Sequence, residues 1–376
     1  MPHETSESRS TWMGRLRRIA IAGLLACLAG LHASPEMQDA VATPPAKAPP
    51  FQLLFDDIAD PEVILSAARL GGERVLIVYQ AVDPGAQARG VIDPAVLIDG
   101  IRREAKGGLP AWGMLDFEVP FYEILAEGPD APRFAETIAT MVRAIRAVKA
   151  AFPDTRWCYY GMPQLPYWIG PKHDQDWVTG PEAMKRAQLE RAAAICAPIV
   201  TEMDWVSPSI YAIYEPSMVK HSPESATRAQ GRAWRFASTG LARLLASGKP
   251  VIPMVCPWWT PGGTAPYCRV IPRREFIEDI AAPAIEAGAS GLALWTCMTY
   301  QINRVTAADP SKFGDETNFG TKEWRQAVVL DYLDGKTPAD WTDPSVRARI
   351  TQGMCDATIK LLQDIRSRID SKLPPR

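Results

Sequence analysis

The chain has 376 residues with 41 Lys and Arg against 43 Asp and Glu, and its net charge of −2 at pH 7 excludes the extended basic surface that nucleic acid requires. Hydrophobic residues at 47% and charged residues at 22% exclude wholesale disorder, leaving one large barrel or two ordinary domains. The 34 prolines imply many sharply punctuated loops, and the 12 tryptophans imply flat apolar ligand faces or a large core.

Residues 1–42 read as a secretory signal peptide. Arg15, Arg17 and Arg18 precede an apolar run from Ile19 to Leu31, and small residues follow up to Ala40-Val41-Ala42. The run is about 13 residues long, against roughly 20 for a bilayer span. Leu24-Leu25-Ala26-Cys27 also has the shape of a lipoprotein cleavage site, which would place a lipid anchor at Cys27. Either reading makes the mature chain secreted or periplasmic. Residues 43–50, rich in proline, form a tether. Without Cys27 six cysteines remain, with no CxxC pair. Cys256 and Cys268, separated by turn residues, are the first candidates for a disulfide, while Cys158, Cys256 and Cys297 beside apolar runs also suit a core.

Seven short apolar runs then predict strands: Phe51–Phe55, Arg74–Tyr79, Ala111–Leu115, Arg156–Gly161, Trp205–Ile210, Val251–Val255 and Gly291–Trp295. Helical spacing lies between them, clearest in Phe134, Ile138, Met141, Val142, Ile145 and Val148, and again over about 181–202, 222–247 and 273–287. Alternation of this kind predicts parallel strands with crossover helices. No Gly-rich phosphate loop follows a strand, so a TIM-like (β/α) barrel over 51–335, seven-stranded by this count, fits better than a nucleotide-binding open sheet. Residues 336–376 form a helical extension, with an amphipathic stripe through Val346, Ile350, Met354 and Ile359.

The third strand runs into Leu115-Asp116-Phe117-Glu118, which puts two carboxylates at i and i+2 on one face, about 6–7 Å apart at Cβ. Like charges in a partly dry mouth raise the proton affinity of at least one, as a general acid for glycosidic cleavage needs. Taken alone, a D-x-E also fits a helix cap or an arginine ion pair. Aromatic residues end the neighbouring strands: Tyr159 and Tyr160, Tyr211, Trp258 and Trp259, and Trp295. Rings beside carboxylates suit a sugar, whose C–H faces stack while its hydroxyls find polar edges. Each ring alone also fits core packing.

The segments Leu115-Asp116-Phe117-Glu118, Trp157-Cys158-Tyr159-Tyr160, Pro208-Ser209-Ile210-Tyr211 and Gly288-Ala289-Ser290-Gly291-Leu292-Ala293-Leu294-Trp295 resemble the hyaluronidases, glycoside hydrolase family 56, in order and spacing. The resemblance spans about 75–295. It implies a distorted seven-stranded barrel, Glu118 as proton donor, and Asp116 orienting a substrate N-acetyl group that acts as nucleophile. Tyr211, Trp295 and Tyr160 would line the subsite at the cleaved bond. The chain departs from the family after Tyr160, where Pro163-Gln164-Leu165-Pro166-Tyr167 replaces a Pro-Asp-Cys-Tyr-Asn-like stretch, and after Trp295, where Met298, Thr299 and Tyr300 stand. Arg273, Arg274 and Lys172 are the basic residues open to a polyanion; a solvated surface also accounts for them. His173-Asp174-Gln175-Asp176 fits a cation loop or plain solvated chain, and no HExxH, GxSxG or cofactor motif occurs.

The sequence thus predicts a monomeric exported glycoside hydrolase with a polysaccharide substrate, no cofactor and no metal. A non-catalytic saccharide-binding envelope protein and a chitinase-like or lysozyme-like barrel are the alternatives.

Overall fold

A computed structural model describes residues 51–56, 61–105, 108–163, 182–212, 224–258, 271–296, 298–308 and 322–372. The expected leader, the tether, Cys27, Lys172, the His173–Asp176 stretch, Trp259, Cys268 and Cys297 lie outside them. Among the described residues six strands form one sheet: β1 (Gln52–Phe55), β2 (Gly72–Tyr79), β3 (Trp112–Asp116), β4 (Arg156–Tyr159), β5 (Met254–Val255) and β6 (Gly291–Leu294). Their order is β4-β3-β2-β1-β6-β5, and every ladder is parallel. The strands are short, unbroken apolar runs such as Val75-Leu76-Ile77-Val78, as expected where both faces of a parallel sheet are covered.

The fifth predicted strand, Trp205–Ile210, is not a ladder strand. Within 205–210 only isolated parallel bridges occur, joining Ser207 to Tyr160, Val206 to Val251, and Ser209 to Met254. Proline is the reason: Pro208 has no N–H to donate, and Pro250 and Pro253 interrupt the facing segment in the same way. The remaining groups still pair, with Val206 N–H donating to the Pro250 carbonyl (2.9 Å) and Met254 N–H to that of Pro208 (2.9 Å). Hydrogen bonding therefore passes from the end of β4 to β5 through this segment, although no seventh strand forms.

The predicted helices appear at Phe134–Ala151, Glu182–Glu202, Glu224–Leu245 and over Arg273–Glu286, the last with a π-helical turn at Phe276–Ala281. Phe134, Met141, Ile145 and Val148 are buried, and Ile138 and Val142 pack half-buried beside them. The C-terminal helix Pro344–Lys372 buries Val346, Ile350, Met354 and Ile365 in the same hydrophobic cluster as the strands, so the extension shares the core of the sheet. No helix among the described residues is long and apolar enough to cross a membrane. Of the expected Cys256–Cys268 pair only Cys256 is described: it is a free, buried thiol just after β5.

Close strand contact fixes where glycine is needed. A Cβ on Gly291 would lie 2.4 Å from the backbone carbonyl oxygen of Gln52, which cannot swing aside as a side chain can. Gly291→Ala is expected to destabilise the fold by about 1–3 kcal/mol or more, read as a lower urea midpoint at unchanged m-value.

Candidate active site

Strand register decides which side chains share the mouth. Tyr79 stands opposite Asp116 across β2 and β3, and Leu115 opposite Tyr159 across β3 and β4. Side chains alternate along each strand, so Tyr79, Asp116 and Tyr160 lie on one face and Leu115 and Tyr159 on the other. Tyr159 marks which face is which: fully buried, it donates its hydroxyl to the Met141 carbonyl of the helix Phe134–Ala151 (2.9 Å). Tyr159 thus belongs to the packing between sheet and helices, which corrects its expected place among ligand-contacting residues. Phe117 is likewise fully buried, its ring edge-on to Phe121 at 6.3 Å, while Asp116 at the end of β3 takes the inner side and Glu118 stands exposed just beyond the strand.

Tyr160, Tyr211 and Trp295 form a row of rings on that inner face. Tyr160 and Tyr211 have centroids 6.0 Å apart, and Tyr211 stacks on Trp295 at 5.5 Å with planes 12° apart. The Tyr160 hydroxyl donates to Ser209 Oγ (3.0 Å), and the Tyr122 hydroxyl donates to the Tyr160 carbonyl. Trp295 Nε1 donates to the Tyr79 hydroxyl (3.1 Å), bringing a ring from β2 into contact with the end of β6. Trp258 differs from expectation: it is 2% exposed, and its Nε1 donates to the Thr296 carbonyl (2.7 Å). Its ring is part of the core beneath the mouth and presents no open face.

The residues that the sequence reading missed are Tyr79 and Asp56. Tyr79 is 41% exposed at the rim, and the only signal for it was its place as last residue of an apolar run, level with the acidic strand end. Asp56 follows β1 and is buried. Its Oδ1 accepts from the Thr296 N–H (2.7 Å), and the Thr296 hydroxyl donates to the Asp56 carbonyl (2.9 Å), which ties the chain after β1 to the residue next to Trp295.

Neither Asp116 nor Glu118 forms an ion pair among the described residues, and Asp116 Oδ1 is buried without a hydrogen-bond partner there. Burial, followed by repulsion from Glu118, pushes the Asp116 carboxyl up to about 8. Glu118 stands exposed at the edge of the mouth, and desolvation by its surroundings pushes its carboxyl up as well. Burial also drives the Tyr211 phenol well above its ordinary value, with Tyr160, Cys256 and Asp56 adding to the shift. Two carboxyls of raised proton affinity thus accompany a row of rings of which Tyr160 and Tyr211 are largely buried. No group of three or more His, Cys, Asp or Glu placed to hold a metal occurs among the described residues.

No family model and no curated protein matches the chain. Among solved structures, bee venom hyaluronidase aligns with a TM-score of 0.43 at 13% identity over 80% of this chain and 99% of its own. An endo-1,4-β-D-mannanase from Thermotoga petrophila RKU-1 aligns at 0.38 and 12%, over 62% and 66%. A probable tagatose 6-phosphate kinase from Sinorhizobium meliloti 1021 aligns at 0.33 and 13%, over 86% and 88%. All three scores fall below 0.5 and the three proteins differ in activity, so the chemistry of this chain rests on its own side chains.

The raised carboxyl carries a stability consequence of definite sign. Below about pH 3.8 Asp116 is protonated in folded and unfolded chains alike; between there and about 8 the folded state holds a proton that the unfolded state has lost. The group therefore supports folding at low pH and loses that contribution as pH rises through this window. Asp116→Asn is expected to leave stability at pH 4 unchanged and to raise it at pH 8 by at least ~1.4 kcal/mol, the equivalent of one pKa unit. Urea unfolding at the two pH values checks this, and equal effects at both would show that Asp116 ionises normally.

Proposed function

We propose that the chain is an exported glycoside hydrolase that cleaves a polysaccharide containing N-acetylhexosamine, on a (β/α) barrel in which residues 205–210 take the seventh staves' place. The reading rests on one observation above all: a carboxylate pair with raised proton affinity and no ion-pair partner among the described residues, at a strand end beside the Tyr160–Tyr211–Trp295 row. The match of four motifs to the hyaluronidases in order and spacing supports it and gives the roles their form.

In this mechanism Glu118 donates its proton to the glycosidic oxygen as the bond to C1 breaks. The carbonyl oxygen of the sugar's own acetamido group attacks C1 and closes an oxazolinium ring, so no enzyme carboxylate needs to bond to the sugar. Asp116 orients the acetamido group, the carbonyl oxygen of its carboxyl accepting from the acetamido N–H. The Glu118 carboxylate then takes a proton from water as that water attacks C1, reopening the ring and restoring the acid. Tyr211 and Trp295 hold the sugar at the cleaved bond, with Tyr160 beside them.

Glu118→Gln keeps the side chain's shape and removes its proton. It is expected to lower kcat by about 10²–10⁴-fold with the melting temperature unchanged, and unaltered reducing-end release would overturn the mechanism. Because Glu118 must be protonated and its carboxyl lies above the usual range, kcat/KM is expected to persist past pH 4.5 and to fall on the alkaline side. Calorimetric binding of oligosaccharides by the unmodified chain with no reducing ends released at any pH would instead identify a saccharide-binding protein.

A further inference from the structure

Resting on the glycosidase reading, we propose that Arg235 is a positioning residue of this site, which sets the peptide plane from which Tyr211 presents its ring to Trp295 and to the sugar. Arg228, Arg232 and Arg235 fall at i, i+4 and i+7 of the helix Glu224–Leu245 and so share one face, which meets the π-helical turn Phe276–Ala281. The first two hold the Asp279 carboxylate at 2.7 and 2.8 Å. Arg235 reaches backbone instead. It is 5% exposed, and it donates from Nε to the Ile210 carbonyl (3.1 Å) and from Nη1 to the Asp279 carbonyl (3.0 Å).

Proline makes both carbonyls available. In an α-helix the Asp279 carbonyl would accept from the residue four places on, which is Pro283 and has no N–H. The guanidinium supplies a donor in place of the missing one. At its other end, Pro208, Pro250 and Pro253 leave the segment before Tyr211 with isolated bridges only. Ile210 still donates its N–H to the Met254 carbonyl (3.0 Å), and Arg235 takes the Ile210 carbonyl. That carbonyl shares a planar peptide unit with the Tyr211 nitrogen, so its direction fixes how the Tyr211 Cα departs. Burial pulls the proton affinity of Arg235 down to about 10, with the Asp279 carboxylate opposing, so the group stays charged at neutral pH and both bonds are charge-assisted. A lysine, with one compact ammonium, does not span the two carbonyls as the planar guanidinium does.

Two variants of the full chain separate positioning from stability. Arg235→Lys keeps the charge and gives up one of the two bonds. Pro283→Ala leaves Arg235 in place and gives the Asp279 carbonyl a backbone donor that competes for it. Its urea midpoint is expected to be unchanged or higher, since alanine suits a helix better than proline. Each is made alone and together with Tyr211→Ala. One readout is the near-ultraviolet circular-dichroism band of the Tyr211–Trp295 stack, defined as the signal lost in Trp295→Phe. The other is kcat/KM on hexasaccharides of N-acetylglucosamine and of hyaluronan, taking whichever is cleaved faster. Both variants are expected to weaken the band. The rate is expected to fall about tenfold or more in Arg235→Lys and about threefold or more in Pro283→Ala. On Tyr211→Ala these losses are expected to vanish, because Arg235 acts through that ring. Should Arg235→Lys fail to fold, Pro283→Ala carries the test. A band unchanged in the folded variants, or losses that multiply with that of Tyr211→Ala, would overturn this inference and leave the glycosidase reading intact. Cleavage of neither hexasaccharide by the unmodified chain counts against the glycosidase reading, and the band alone then decides whether Arg235 positions Tyr211.

Discussion

Two like carboxylates two residues apart at the end of a parallel strand cannot avoid one another. In this chain Asp116 closes β3, the following Phe117 is fully buried against Phe121, and Glu118 stands exposed just beyond the strand, close enough to raise the proton affinity of Asp116. Phe117 therefore anchors the chain between the two acids. Burial first, and then the nearby Glu118, gives Asp116 its raised proton affinity, and neither acid has an ion-pair partner among the described residues.

Holding a proton on Asp116 at neutral pH costs stability that the rest of the fold must supply. The supply is visible on the side opposite the acids. Arg235 joins the Ile210 carbonyl to the π-helical turn, and Asp279 on that turn is held by Arg228 and Arg232. These contacts brace the backbone immediately before Tyr211, in a segment where the prolines have left only isolated bridges. On the other flank, Asp56 and Thr296 lock the chain after β1 to the residue following Trp295. The stacked Tyr211–Trp295 pair is thus supported from behind by side chains rather than by a continuous ladder, a common arrangement where a site demands backbone that regular pairing would not give.

Local pattern carried the helices and most strands. A 3.6-residue stripe such as Phe134 to Val148 has few alternatives once a sheet is available to cover it, and six of the seven apolar runs became ladder strands, five within two residues of their expected limits and Val251–Val255 only over Met254–Val255. The run at 205–210 failed for a reason that was written in it, because Pro208 and the facing Pro250 and Pro253 remove ladder donors. The acidic pair and the Tyr211 and Trp295 rings were legible because each strand end carries its own turn residues and its own parity.

What the sequence by itself determined was the alternation: Leu115 against Asp116, and Tyr159 against Tyr160, had to fall as they did relative to their own neighbours, since side-chain direction in a strand is a local property. Which of the two tyrosines joined the acids was settled only by register between strands, where Leu115 stands opposite Tyr159 and sends it outward to Met141. Tyr79 and Asp56 entered the mouth for the same reason, from strands far away in the chain. The free thiol of Cys256 and the buried face of Trp258 were decided likewise by packing between elements. Pairing of distant segments is a sum of many contacts spread over the whole fold, and no short window of residues contains it.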